Sequence, residues 1–363
     1  MAAPDAAAWS HGTAAQTGVL LVNLGTPEAP TALALRRYLR EFLSDPRVVE
    51  LPRLLWWPIL NGIILPRRAG KSAAKYAAIW TPRGSPLLVG TADLSRAVAA
   101  ELAAAGHRVL VRHAMRYGSP GVAAALDAFA ADNVTRVLLV PLYPQYCAAT
   151  TASTVDAVAA WLRRTRRLPE LRVLNHFHDQ PAYIDALASK VRAHWSAHGK
   201  PDVLVTSFHG MPARTLHAGD PYFCECQKTA RLLAERLELP GSAYRVTFQS
   251  RFGRQRWLEP YTEPTLRELA RQGVGRVDVI CPGFAVDCLE TLEEIAIGAK
   301  QAFLSSGGRE FHYIDCLNAE PRWAQAFAGL IETQLQGWDT RSPADPDELL
   351  RSRAAAQALG ARG

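Results

Sequence analysis

Two groups of residues in this 363-residue chain carry side chains suited to proton and metal chemistry. The first is His209, which ends the run Val203-Leu204-Val205-Thr206-Ser207-Phe208 and precedes Gly210. An unperturbed imidazole titrates near pH ~6.5, so it can accept a proton or ligate a metal close to neutrality. The second group lies far downstream and comprises Asp287, Glu290, Glu293 and Glu294, spaced by three and four. On a helix that spacing brings the carboxylates onto roughly one face, where they repel one another. A solvated acidic surface would tolerate the repulsion. Leu289, Leu292, Ile295 and Ile297 occupy the other positions, however, which fits a row entering a cleft as a path for a cation or for protons. One imidazole and one carboxylate make a weak divalent site, since a storage or structural site wants three or four ligands. Weak binding suits an ion that has to be handed on.

Both groups need elements that hold them at one place. Val203–Phe208 reads as a buried strand, and Val277–Cys281 with Pro282-Gly283-Phe284 places the carboxylate helix, Leu289–Phe303, at the end of another. Ligands of open α/β sheets bind just past the carboxyl ends of strands. Further strands are predicted at 19–23, 108–111, 137–141, 171–174, 244–249 and 311–314. Helices are predicted at 31–43, 88–105, 122–131, 154–164, 183–198, 229–237, 265–273 and 324–334. This alternation predicts an α/β fold of two Rossmann-like domains, parallel sheets flanked by helices with the cleft between them. The expected division is a disordered segment at 1–17, a first domain at 18–178 and a second at 179–321 carrying His209 and Glu290. A helix at 322–336 would complete the first domain, and 339–363 would form a loosely held tail.

The stretch Leu51–Arg68 is strongly apolar, contains Trp56-Trp57, and is followed by Lys71. It reads either as a core helix or as a surface flap touching lipid or a flat hydrophobic ligand. Pro52, Pro58 and Pro66 argue against a long buried helix. Tryptophan followed by Arg67, Arg68 and Lys71 suits a membrane interface.

Composition narrows the class. The chain is 48% hydrophobic with a formal net charge of +7, and no nucleic-acid-binding signature accompanies that charge, so nucleic acid is not expected as a partner. Six scattered cysteines in a chain of this size predict reduced thiols and a cytoplasmic protein. Cys224-Glu225-Cys226 lacks a second pair at zinc-site spacing. Gly18–Gly25 has no G-x-G-x-x-G, so a dinucleotide fingerprint is missing. No apolar run reaches the length of a membrane span.

Several stretches together resemble one family. They are Asn23-Leu24-Gly25-Thr26-Pro27, Met115-Arg116-Tyr117, Pro141-Leu142-Tyr143-Pro144-Gln145-Tyr146, Ser207-Phe208-His209-Gly210 and Gly219-Asp220-Pro221-Tyr222. Gln249-Ser250-Arg251-Phe252-Gly253 with Trp257-Leu258, and Asp287-Cys288-Leu289-Glu290-Thr291-Leu292, complete the set. In this order they are similar to the ferrochelatases from Gly18 to about Trp338. The resemblance implies insertion of ferrous iron into protoporphyrin IX, the last step of haem synthesis, in a cleft between two domains. It implies His209 and Glu290 as catalytic and metal-contacting residues, Glu294 as a further metal residue, and Asp287 as a relay behind them. It implies Leu24, Arg116, Tyr117, Ser207 and Trp257 as porphyrin-binding residues, and the Trp56–Arg68 passage as the lip of the mouth.

Three positions depart from the family pattern. Gly298 stands where a third acid extends the row, and Cys288 stands where animal enzymes carry histidine. No cysteine follows Cys316, so the iron–sulfur cluster of some members is not expected, and no permanently bound cofactor is. Coproporphyrin III ferrochelatases tend to carry tyrosine at the position of Leu24. A coproporphyrin enzyme, a related cobalt chelatase and a non-catalytic haem carrier remain the competing readings. The lip and its basic flank predict loose association with the inner face of the membrane.

Overall fold

The computed structural model describes residues 11–361 apart from 254, so residues 1–10 of the segment expected to be disordered lie outside the described residues. The remainder of that segment does not fit the expectation, because Gln16 and Thr17 already pair in the first strand.

The first half runs β1 (Gln16–Gly25), α1 (Ala32–Leu43), α2 (Arg53–Ile59), a π-helical segment (Leu60–Ile64), α3 (Leu65–Ile79), α4 (Pro86–Ala104), β2 (Val109–Tyr117), α5 (Val122–Ala131), β3 (Val134–Pro141), a second π segment (Ala148–Ala152), α6 (Ser153–Leu162) and β4 (Glu170–Val173). The second half runs α7 (Pro181–His198), β5 (Val203–His209), α8 (Ala213–His217), α9 (Tyr222–Arg236), β6 (Tyr244–Gln249), α10 (Thr262–Arg271), β7 (Arg276–Ile280), a third π segment (Glu290–Ala299), α11 (Lys300–Leu304) and β8 (Glu310–Ile314). Two helices follow, α12 (Pro321–Gln334) and α13 (Pro346–Ala358).

The strands form two parallel sheets of the same topology, β2-β1-β3-β4 and β6-β5-β7-β8. Both faces of each sheet are covered, which is why β1 is a continuous apolar run rather than an alternating one. Val19 and Leu21 point into a shared core with Leu94 and Val98 of α4, Leu187 and Val191 of α7, Phe327 and Ile331 of α12, and Leu204 and Ile280 of the second sheet. Leu20 and Val22 point the other way, onto α5 and α6. In the second sheet Val203, Val205, Val277 and Val279 pack on α10 and α11. Helices α4, α7 and α12 thus lie between the sheets, and α12 serves both halves rather than the first alone.

The switch in strand order falls between β1 and β3, and again between β5 and β7. Each places the carboxyl end of its first strand at a crevice. Glycine is required where each strand leaves. A Cβ on Gly25, whose φ is +115°, would collide with the Tyr117 carbonyl of β2. A Cβ on Gly210 would come within 2.5 Å of the Gln249 carbonyl of β6. Leu24 and His209 therefore hold equivalent positions in the two halves.

The lip departs from expectation. The chain is helical from 53 to 79, through Pro58 and Pro66, with the π segment between these prolines. Pro66 lies where the π segment passes directly into α3, at a break in the regular i to i+4 ladder. Pro58 lies in α2, none of whose residues is buried, so water can satisfy the carbonyl it leaves unpaired. The first two turns, 53–59, lie on the surface, held where the Trp56 indole donates to the Leu43 carbonyl at 2.7 Å, while Leu60, Leu65, Ala69, Ala73 and Tyr76 bury the rest of the segment on one face. The region read as a loose tail starts with contacts too. The Arg108 amide donates to the Thr340 carbonyl at 2.6 Å, and the buried Thr340 hydroxyl meets His107 Nδ1, also at 2.6 Å. Helix α13 beyond it has no buried residue.

Candidate active site

His209 is the last residue of β5 and is half-buried. Its Nδ1 lies 2.7 Å from the Gly210 carbonyl, which can only accept. The ring proton therefore sits on Nδ1 in the neutral form, and Nε2 keeps a free lone pair. Tyr222 Oη donates to the His209 carbonyl at 2.9 Å and fixes the backbone beneath it.

The carboxylates come from the third π segment rather than from an α-helix. Bonding from i to i+5 aligns residues four and five apart, so Glu290 and Glu294 share a face while Glu293 turns aside. Glu293 is tied to Lys75 of α3 by a 2.8 Å ion pair that joins the two halves. Glu294 is held by Ser250, whose amide donates to one oxygen at 2.7 Å and whose hydroxyl donates to the other at 2.5 Å. Ser250 can do both because it follows β6 in a left-handed conformation, φ +64°. Burial raises the Glu294 carboxyl above its ordinary range; Ser250 and His209 oppose that, and Glu290 adds to it. Glu294 thus feels both of the residues expected to do the chemistry. Glu290 in turn helps to raise the buried phenols of Tyr38 and Tyr76, chiefly raised by burial, so the row faces the first half across the crevice.

Ser207 is not at the surface of the cleft. It is fully buried, donating to Gln249 Oε1 at 2.7 Å and sharing a hydrogen bond with Thr262. Gln249 Nε2 then donates to the Glu290 carbonyl at 2.8 Å and approaches Glu294 at 3.5 Å. Ser207 therefore positions the acids rather than binding porphyrin. Asp287 is likewise removed from the row. Its Oδ1 accepts from Thr291 (2.9 Å) and Tyr313 (2.6 Å), and its Oδ2 from Asn318 (2.7 Å). With both oxygens so engaged it anchors the start of the π segment, and its expected relay role has no geometric basis.

Arg116 and Tyr117 belong to a buried network instead of offering free groups to a ligand. Arg116 donates to Asp45 Oδ2 at 2.6 Å and to the Ser153 hydroxyl at 2.7 Å. Tyr117 Oη donates to the same Asp45 oxygen at 2.8 Å. Burial raises the Asp45 carboxyl, but hydrogen bonds from Ser153, the Arg47 amide and Tyr117, with the Arg116 charge, outweigh it and hold Asp45 below its usual range. Breaking a buried pair of this kind costs about 3–5 kcal/mol, so Asp45→Asn is expected to destabilise the fold by that order in urea titration. The native pKa is lowered, so the stabilisation is complete above the unfolded value of about 3.9 and fades as pH falls through the native one. The gap between wild type and Asp45→Asn should therefore close in acid; a gap constant from neutrality to pH ~3 would contradict the assignment.

Trp257 packs over Gly210, the residue after His209. A Cβ on Gly210 would touch its ring at 3.2 Å, and its buried indole N–H has no partner among the described residues. Leu24 is half-buried between the shared core and the Tyr38–Tyr76–Tyr117 cluster. Sequence reasoning missed Ser250, Gln249 and Asp45 as organising residues. Only the Ser250 and Gln249 stretch carried any signal, as part of a family-like motif.

The sequence model of the family described as Ferrochelatase matches residues 16–335. A protein of a Polaromonas species named Ferrochelatase is 58% identical over 357 residues, covering 97% of each chain. One of Methylibium petroleiphilum with the same name is 59% identical over 352 residues, again covering 97% of each. Among solved structures, SirB from Bacillus subtilis with Fe3+ superposes with a TM-score of 0.51 at 14% identity, over 88% of this chain and 96% of that one, a likeness of fold.

Proposed function

This chain belongs to the ferrochelatase family, and from that premise we propose that it inserts ferrous iron into protoporphyrin IX to give protoheme. The carrying observation is the placement of His209, whose Nε2 has no hydrogen-bond partner among the described residues, in the field of a Glu290–Glu294 pair that Ser250 and Gln249 hold in place.

The chemistry has to balance. A free-base porphyrin has two inner N–H protons, and uptake of Fe2+ releases both. His209 Nε2 accepts one as a general base. The acid pair is suited to the other and to replacing water on the incoming ion. Burial raises the Glu294 carboxyl above its ordinary range, which favours its holding that second proton once the porphyrin has lost it. The fixed π segment gives the ring one rigid side against which to bend, and the buried Tyr38–Tyr76–Tyr117 cluster backs the first half.

Leu24 and the apolar lip support protoporphyrin, with two carboxylates, over coproporphyrin, with four. Anaerobic iron insertion assayed with the two porphyrins side by side should give the higher kcat/KM with protoporphyrin. The reverse order would reassign the substrate, and no metallation of either would leave a carrier.

The same lip supports loose contact with the inner, cytoplasmic face of a membrane. No helix among the described residues is long and apolar enough to cross one. Leu54 is 91% exposed and Trp57 54%, with Leu51, Leu55 and Ile63 beside them. Arg68 stacks on exposed Phe252 from the other half at 4.1 Å, so the apolar rim continues across the mouth. Burying a tryptophan fully is worth roughly 4–6 kcal/mol at ~25 cal/mol per Å². Leu54→Ser with Trp57→Ser should therefore lower vesicle co-sedimentation at least tenfold and leave the melting temperature near wild type. Unchanged sedimentation with lost folding would make the segment a core helix.

No iron–sulfur cluster is proposed. Burial raises the thiols of Cys147, Cys226, Cys281, Cys288 and Cys316, which suits protonated core residues rather than thiolate ligands. Anaerobically purified protein should contain no acid-labile sulfide; sulfide in near-stoichiometric ratio to iron would overturn this.

A further inference from the structure

Helix α7 ends with His194 and His198, one turn apart and so on one face, just before Gly199. Strand β8 brings His312 against them. The three rings offer nitrogens that all lie within 4.8 Å of one another. His194 Nε2 and His312 Nδ1 face each other at 3.1 Å. Nitrogens bound to a tetrahedral ion at 2.0–2.1 Å stand about 3.4 Å apart; the His194–His312 pair is already near that spacing, and a His198 nitrogen lies within 4.8 Å of both.

The surroundings prepare these rings for a cation. His312 Nε2 lies 2.7 Å from Glu310 Oε1, so its N–H is directed to that carboxylate and its lone pair is left on Nδ1, toward His194. A carboxylate behind an imidazole is the usual support of a metal-bound histidine. The fully buried Asp278 lies 3.6 Å from His194 Nε2 and is held by Arg276 and Trp195. Arg276 faces the cluster from β7 and caps the His198 and Gly199 carbonyls at the end of α7, and the two carboxylates Asp278 and Glu310 outnumber it. His198 is exposed, which leaves a fourth position open to water.

We propose that His194, His198 and His312 form a second metal site, which holds a divalent first-row transition ion of the zinc type through three imidazoles and a water. An all-imidazole donor set selects such ions over magnesium or calcium. The site is separate from the iron-insertion cleft. Its residues lie at the carboxyl end of α7 and in mid-β8, where His312 pairs with Asp278 of β7, whereas His209 leaves the carboxyl end of β5.

The test is titration of the metal-stripped full chain with Co2+, read by the intense visible absorption of a tetrahedral ion, and then with Zn2+ as competitor. His209→Ala, which removes the cleft imidazole, should still bind one Co2+ with the tetrahedral spectrum. His198→Ala changes an exposed residue and should fold and insert iron as wild type does, while its Co2+ affinity at this site falls by about tenfold or more. His312→Ala should lose the signal. Absence of a tetrahedral signal from the His209→Ala chain would overturn the proposal. So would equal Co2+ affinity in wild type, His198→Ala and His312→Ala.

Discussion

Replacing His209 by alanine is expected to slow metal insertion by about 10²–10⁴-fold, the range for a lost general base. Zinc and ferrous iron should be affected alike, because the lost step is removal of a proton from the porphyrin rather than recognition of the ion. Porphyrin affinity should hardly change, since a flat apolar ring gains most from apolar burial, to which one imidazole adds little. The fold should survive, because the side chain's one hydrogen bond among the described residues goes to the neighbouring Gly210 carbonyl. Anaerobic initial rates over a range of metal and porphyrin concentrations check this. A raised metal KM with kcat intact would recast His209 as a ground-state metal ligand.

Glu290→Gln is expected to have an effect of comparable size, about 10²-fold or more in kcat, by removing charge where a dication must shed water. The Glu290 carbonyl, not its carboxylate, takes the Gln249 hydrogen bond, so the amide variant should keep the backbone in place. Glu294→Gln should cost less. Its anchors on Ser250 can be kept by an amide oxygen, and the residue lies behind Glu290 along the π segment. Equal losses from the two variants, measured as kcat with ferrous iron, would mean that both acids meet the metal directly.

Much of the fold is visible in the sequence because its signals are local. The strands around Val19, Val137, Val203 and Val277 are short apolar runs that end in turn residues, and His209 and Glu290 follow two of them. What escaped depends on geometry that no local pattern carries. The prolines of the lip suggest a broken helix, yet a π turn and solvent exposure let the helix run on. Asp287 has the spacing of its neighbours, but Tyr313 and Asn318, from the chain after β7, take up its oxygens. The family resemblance implies Ser207 as a porphyrin-binding residue, and it sits two before His209. In a strand that spacing places it on the same face, but Gln249 and Thr262 cover it. Ser250 matters through a positive φ and Asp45 through partners far along the chain, and neither property is written in residue type.

The central claim is that His209 and the Glu290–Glu294 pair work as one unit on one proton-for-metal exchange. It is tested most directly by the double-mutant cycle of His209→Ala and Glu290→Gln, with anaerobic initial rates of ferrous insertion into protoporphyrin. Groups that act as a unit lose most of their effect with the first removal. The account predicts a double variant no more than about tenfold slower than the slower single variant. A double variant slowed by the full product of the two single effects would contradict it.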